Sequence, residues 1–180
     1  MRADLPRGWT PTAQTAQSRS NCAAVEAARA AVSARASSPD FSHEPTGQVS
    51  HTVYLYGDEP QAENAYEALT ISRTRRCLGD EVRARIVKEA ADVDVGAVRT
   101  APLVIDPVGE ESSAARVALD YGTAGTQYTL TADLVFVRDG RGLAFLVLAD
   151  ETGTFDEQLR ARLATVADRR LRAALEDATG

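Results

Sequence analysis

Thiols are the scarcest reactive groups in this 180-residue chain, which has two, Cys22 and Cys77. A cysteine pair can hold a metal, run redox chemistry or form a structural bridge. No C-x-x-C occurs, which speaks against a zinc ribbon or a thioredoxin-type site. A cysteine nucleophile needs a base, and nothing in the local sequence pairs His43 or His51 with either thiol. Cys22 lies on the apolar stripe of one predicted helix and Cys77 near that of a second. If both stripes meet one core, a bridge closing a loop of roughly 56 residues would stabilise the fold by about 4 kcal/mol through lost unfolded-chain entropy. The alternative is two separate buried thiols, each packing as a small hydrophobe. The spacing leaves both open, because redox compartment decides between them.

The other chemistry-bearing residues point away from catalysis. The sequence has no G-x-S-x-G, no G-x-x-x-x-G-K-[ST] and no H-E-x-x-H. GTAGT at Gly122–Thr126 is glycine-rich but lies between two predicted strands. It reads as a hairpin turn and not as a phosphate cradle at a helix start. His51 falls on the apolar face of its strand and His43 in a proline-flanked loop, without the partners that complete a metal site. The acid pairs Asp58-Glu59, Asp80-Glu81, Glu110-Glu111 and Asp150-Glu151 sit at turns or element ends, where acids cap and solvate. Sequence does not place any of them across a glycosidase-like cleft. Arg73, Arg75 and Arg76 of RTRRC are expected to close a helix and complement its dipole; the functional alternative is contact with an anionic partner or lipid headgroup. No metal and no cofactor is expected. Candidate ligand-binding residues are Tyr54 and Tyr56, joined by Thr129, Thr131 and Asp133 if a later strand continues the same sheet face. There, rings would supply area and hydroxyls direction.

The elements that must position these residues follow from periodicity and punctuation. Residues 1–18, with Pro6, Gly8 and Pro11, are expected to be irregular, with Trp9 anchored on the core. Cys22, Val25, Ala28, Val32 and Ala36 recur at helical steps, predicting a helix over 20–36. Pro39 and Pro45 mark a loop. Residues 48–56 alternate, with Val49, His51, Val53 and Leu55 on one face and Ser50, Thr52, Tyr54 and Tyr56 on the other, a half-buried strand. Asp58 and Gln61 form a capping box for a helix over 59–77. Residues 82–100 suit either two strands or a helix across 81–90 followed by a strand. Strands follow over 115–121, 127–138 and 142–149, with Asp139-Gly140 suited to a tight turn. LAFLVLA is apolar on both faces and predicts a central strand covered on both sides. A final helix starts at a capping box of Thr154 and Glu157, and Leu159, Leu163, Val166, Leu171 and Leu175 form its stripe.

This order predicts an α+β fold: a single domain over 19–177, mostly antiparallel sheet, with the helices packed on one face. Hydrophobic residues at 44% suffice for one core. A net charge of −6 argues against general nucleic-acid binding. No apolar run approaches the ~20 residues of a membrane span.

The motif order resembles a known family. LPRGW near the start precedes Cys22; YGDEPQAENAYEAL precedes Cys77; VFVRDGRGLAFLVLAD precedes a terminal amphipathic helix. Together these resemble the extracytoplasmic sensor domain of PknH-type actinobacterial serine/threonine kinases and the lipoproteins that carry it alone, over about Leu5 to Leu175. The resemblance implies an exported antiparallel sheet with flanking helices, a concave surface for an unidentified ligand and no catalytic residues. It favours a Cys22–Cys77 disulfide, since export means an oxidising compartment. The kinase version carries two disulfides, whereas these thiols allow one, and no kinase domain is present. The reading is therefore a non-catalytic, secreted or lipid-anchored sensor-like domain that binds a small molecule or envelope component. Its targeting segment and any anchor would lie outside this sequence. The alternatives are an envelope adaptor without a small ligand, or a cytosolic enzyme with scattered active-site acids and arginines.

Overall fold

A computed structural model describes residues 2–13, 19–44, 46–89, 93–123, 126–151 and 153–178. Among them the elements run β1 (Trp9–Thr12), α1 (Ala23–Ala30), β2 (Val32–Ser37), β3 (Asp40–His43), β4 (Gly47–Tyr56), α2 (Glu59–Thr70), α3 (Ser72–Glu89), β5 (Asp94–Leu103), β6 (Glu111–Thr123), β7 (Thr126–Asp139), β8 (Gly142–Asp150) and α4 (Glu157–Asp177). The fold is α+β, one antiparallel eight-stranded sheet in the order β1-β3-β4-β8-β7-β6-β5, with β2 also on β4. The outer edge of β4 is shared: β2 pairs along Thr52–Tyr56 and β3 along Gly47–Val49.

Strand alternation sorts the core into two halves. Val49, Val53 and Leu55 of β4 join Val135 and Val137 of β7 and Leu146 and Leu148 of β8 beneath α4. Tyr54, Tyr56, Leu134, Phe136 and Leu143 point the other way, beneath α1 and α2. The expectation of helices on one face is therefore corrected: α4 covers one face and α1, α2 and α3 the other. The central strand β8 required this, because its apolar side chains on both faces need cover on both.

Local competition explains the other differences. The alanine-rich stretch predicted as one helix over 20–36 splits at Ala31 into α1 and β2. Alanine favours helix, but the free edge of β4 captures 32–37 as a strand. The segment expected to be irregular contains β1, which pairs with β3, and Trp9 packs beside Phe155 at 6.1 Å, as anchored. Residues 14–18 lie outside the described ones. The helix expected over 59–77 breaks at Ile71, which is extended at φ −70°, ψ 152°. Its freed carbonyls are met by Thr70 Oγ1 to Tyr66 O, Thr74 Oγ1 to Ala68 O and Arg75 Nη1 to Thr70 O. The chain then continues as α3 to Glu89, so RTRRC opens a helix instead of closing one.

The Asp58 cap holds as read: Gln61 N donates to Oδ1 at 2.9 Å and Gln61 Nε2 to Oδ2 at 3.0 Å. The cap of α4 is Asp156, receiving Leu159 N at 2.6 Å, and not Thr154. Gly140 takes φ +49° in the two-residue turn between β7 and β8, a conformation glycine adopts without strain. Ala124 and Gly125, on which the expected GTAGT turn falls, lie outside the described residues.

Candidate ligand-binding cleft

Cys22 and Cys77 form a disulfide with Cα atoms 5.8 Å apart. It ties the N-cap of α1 to the second turn of α3. Beside it, Ser20 Oγ and Asn21 N donate to Glu81 of α3, which fastens the approach to α1 by polar contacts as well. So anchored, the eight-residue α1 lies over the face of the sheet that carries Tyr54 and Tyr56.

Between them is an apolar cleft with a cavity of about 60 Å³. Its floor is Tyr54, Tyr56, Phe136 and Phe145; its walls are Val25, Ala28 and Val32 on one side and Leu69 and Leu78 on the other. Phe136 and Phe145 are cross-strand partners whose rings stack at 4.7 Å. Cations line its approach. Arg29 is on the lining, ion-paired with Glu26 at 3.1 Å, and the Arg35 guanidinium lies 5.9 Å from the Tyr54 ring centre. Burial, with Tyr54 beside it, pushes the Tyr56 phenol up to about 12, so it stays a neutral hydrogen-bonding group. The arrangement suits an apolar group held by ring surfaces with an anionic end toward the arginines. It offers no nucleophile–base pair.

The expected site residues fall into two places. Tyr54 and Tyr56 are in the cleft, whereas Thr129, Thr131 and Asp133 face the opposite side of the sheet, toward α4. Register shows this directly: Asp133 stands opposite Leu148, and Leu148 opposite Val49, all on the α4 face. Alternation identifies which residues of one strand share a face, but not how two distant strands align. The second group is engaged internally. Asp133, fully buried, takes two bonds from Arg116 at 2.7 and 2.8 Å and one from Arg160 of α4 at 2.8 Å. Thr131 Oγ1 donates to Gly153 O, and Thr129 Oγ1 to Asp120 Oδ1 at 2.8 Å. Asp120 also accepts from Arg99, and these two hydrogen bonds, Arg99 first, bring its carboxyl down to about 2.

Members of three of the acid pairs are similarly occupied. Glu110 and Glu111 clamp Arg138 at 2.8 and 2.5 Å, Asp58 caps α2 and Glu81 holds the approach to α1. His43 lies beside Trp9 at 5.4 Å, and His51 is buried in β4. Among the described residues no group of three or more His, Cys, Asp or Glu is placed to hold a metal ion. Sequence reasoning missed Phe136, Phe145, Leu69 and Leu78 as cleft residues. The signal for the first two was present: strands apolar on both faces must offer one of those faces to each helical layer.

Fold and cleft define a disulfide-linked α+β domain with helices on both sides of one sheet. Compared with protein-family models and with curated proteins, the chain matches neither.

Proposed function

We propose that this chain is a non-catalytic extracytoplasmic binding domain that takes the apolar part of a small molecule or envelope component into the cleft beneath α1. The observation that carries the reading is the cleft: aromatic floor, aliphatic walls and cations at its approach, under a short helix tethered at one end by a disulfide. At about 60 Å³ it is far below the several hundred Å³ of a pocket for a whole drug-sized ligand. Entry of a chain end or a single ring therefore requires α1 to lift. The disulfide supports an oxidising location, and the motif order resembling PknH-type sensor domains supports the same reading.

The test is a thermal-shift titration with octanoate, octanol and indole on the oxidised protein, repeated on Ala28→Phe, which fills the cleft from its wall. A binder is expected to raise Tm saturably, with stabilisation of about 3 kcal/mol at a hundredfold excess over Kd. The folded variant is expected to lose the response. Equal responses in both proteins would place binding elsewhere. Alkylation of natively expressed protein without reductant tests export: two modified thiols would refute it.

A further inference from the structure

The outer face of α3 has a charge pattern that its fold does not use. Ser72–Glu89 contains six Arg or Lys against three Asp or Glu, net +3, within a chain of net −6, so the remainder carries −9. Arg73 and Arg76 stand near the helix N-terminus, where positive charge opposes the dipole. Arg75 is accounted for, since it donates to Thr70 O at 2.8 Å and closes the preceding helix. Among the described residues Arg73, Arg76 and Lys88 pair with no acid, and all three are exposed. Arg83, on the same side, bonds among the described residues the carbonyls of Gly96 and Val95 and no acid. At 100° per residue these four cations fall within one arc of the helix that contains a single acid, Asp80, and is crossed by the Cys77 disulfide to α1. The apolar side chains Ile71 and Val87, each 49% exposed, stand near the two ends of the row.

We propose that this face of α3 docks on an anionic lipid bilayer, lying in the headgroup plane with its cations against phosphates and Val87 dipping near one end. A row of cations on one exposed helical face is the chemistry of electrostatic docking on anionic headgroups. The row extends over about 22 Å of helix, and its convex shape fits a flat anionic surface better than a peptide, which needs a groove. The acidic remainder is repelled by the same surface and so orients the domain.

Cosedimentation tests this with the oxidised protein and vesicles of phosphatidylcholine, pure or containing about one-third phosphatidylglycerol. Binding is expected only to the anionic vesicles and is expected to fall sharply at about 0.5 M salt, where screening is nearly complete. The triple variant Arg73→Gln, Arg76→Gln, Lys88→Gln is expected to bind about a hundredfold more weakly, close to fivefold per cation. A control with the same charge change elsewhere, Arg7→Gln, Arg162→Gln, Arg169→Gln, is expected to stay near wild type. Circular dichroism on both variants confirms that they fold. Equal losses in the two triple variants would overturn the proposal, as would no sedimentation with anionic vesicles. Binding to poly-glutamate without binding to vesicles would also overturn it, in favour of an acidic polypeptide partner.

Discussion

At the scale of single residues, Asp133 is the most consequential side chain outside the cleft. It is fully buried, and two arginines from different elements converge on it, Arg116 from β6 and Arg160 from α4. It fixes the first turns of α4 against the sheet. Breaking a buried pair leaves a charge without its partner, which costs roughly 3–5 kcal/mol. Asp133→Asn is therefore expected to lose about that much in urea unfolding at constant m. Replacing all three by Leu, Met and Met is expected to recover most of the loss, because well-packed apolar groups substitute for buried ion pairs at little net cost. A loss under ~1 kcal/mol in the single variant would mean water reaches the cluster. Sequence showed an acid on an alternating strand, but no local feature reveals that arginines 17 residues before it and 27 after it converge there. Such a site is created by register and by helix placement, which a single strand's pattern does not encode.

At the scale of elements, the central strands β4, β6, β7 and β8 were more legible than the edge strands β1, β2 and β3 or the helix boundaries. The alternation of 48–56 and the both-sided apolar run of β8 depend on burial, and burial is what the sheet imposes. Helix ends depend on which neighbour captures the chain: β4 took 32–37 from a predicted helix, and the break at Ile71 has no proline or glycine to announce it. Gly79 shows the same limit. A glycine within a helix is about 1 kcal/mol worse than alanine, so its presence needs a reason that the sequence does not state. The structure supplies one. A Cβ there would run into Val98 Cγ1 of β5, with Thr100 Cγ2 and Val117 Cγ1 each 3.5 Å away. The glycine lets α3 lie directly on β5 and β6. Gly79→Ala is expected to destabilise the fold by about 1–2 kcal/mol net, overpacking exceeding the propensity gain. Thermal denaturation measures it; a raised Tm would show that α3 can shift outward freely.

At the scale of the whole molecule, pH couples charge to stability. His51 sits in β4 with only 4% of its surface exposed, and its Nε2 has no hydrogen-bond partner among the described residues. Burial disfavours the imidazolium and lowers its pKa from 6.5 to about 4. Above pH 6.5 the ring is neutral whether the chain is folded or not. Between 6.5 and 4 the unfolded chain takes up a proton that the native state refuses, so stability falls as pH falls, by roughly 3 kcal/mol in all. Below 4 this group contributes no further loss. The carboxyl of Asp120 titrates lower still, near 2, so the two effects occupy different windows. The isoelectric point near 5.0 lies inside the histidine window. As the chain loses its repulsive net charge it therefore also loses stability, and unfolding-linked aggregation is expected to peak close to pH 5. His51→Leu separates the causes, because it removes the proton linkage and leaves the isoelectric point almost unchanged. In temperature-ramped light scattering at pH 5 the variant is expected to aggregate at a higher temperature than wild type, while at pH 7.5 the gap between them narrows or reverses. The same gap at both pH values would mean that net charge alone governs acid behaviour and that His51 is solvated in the native state.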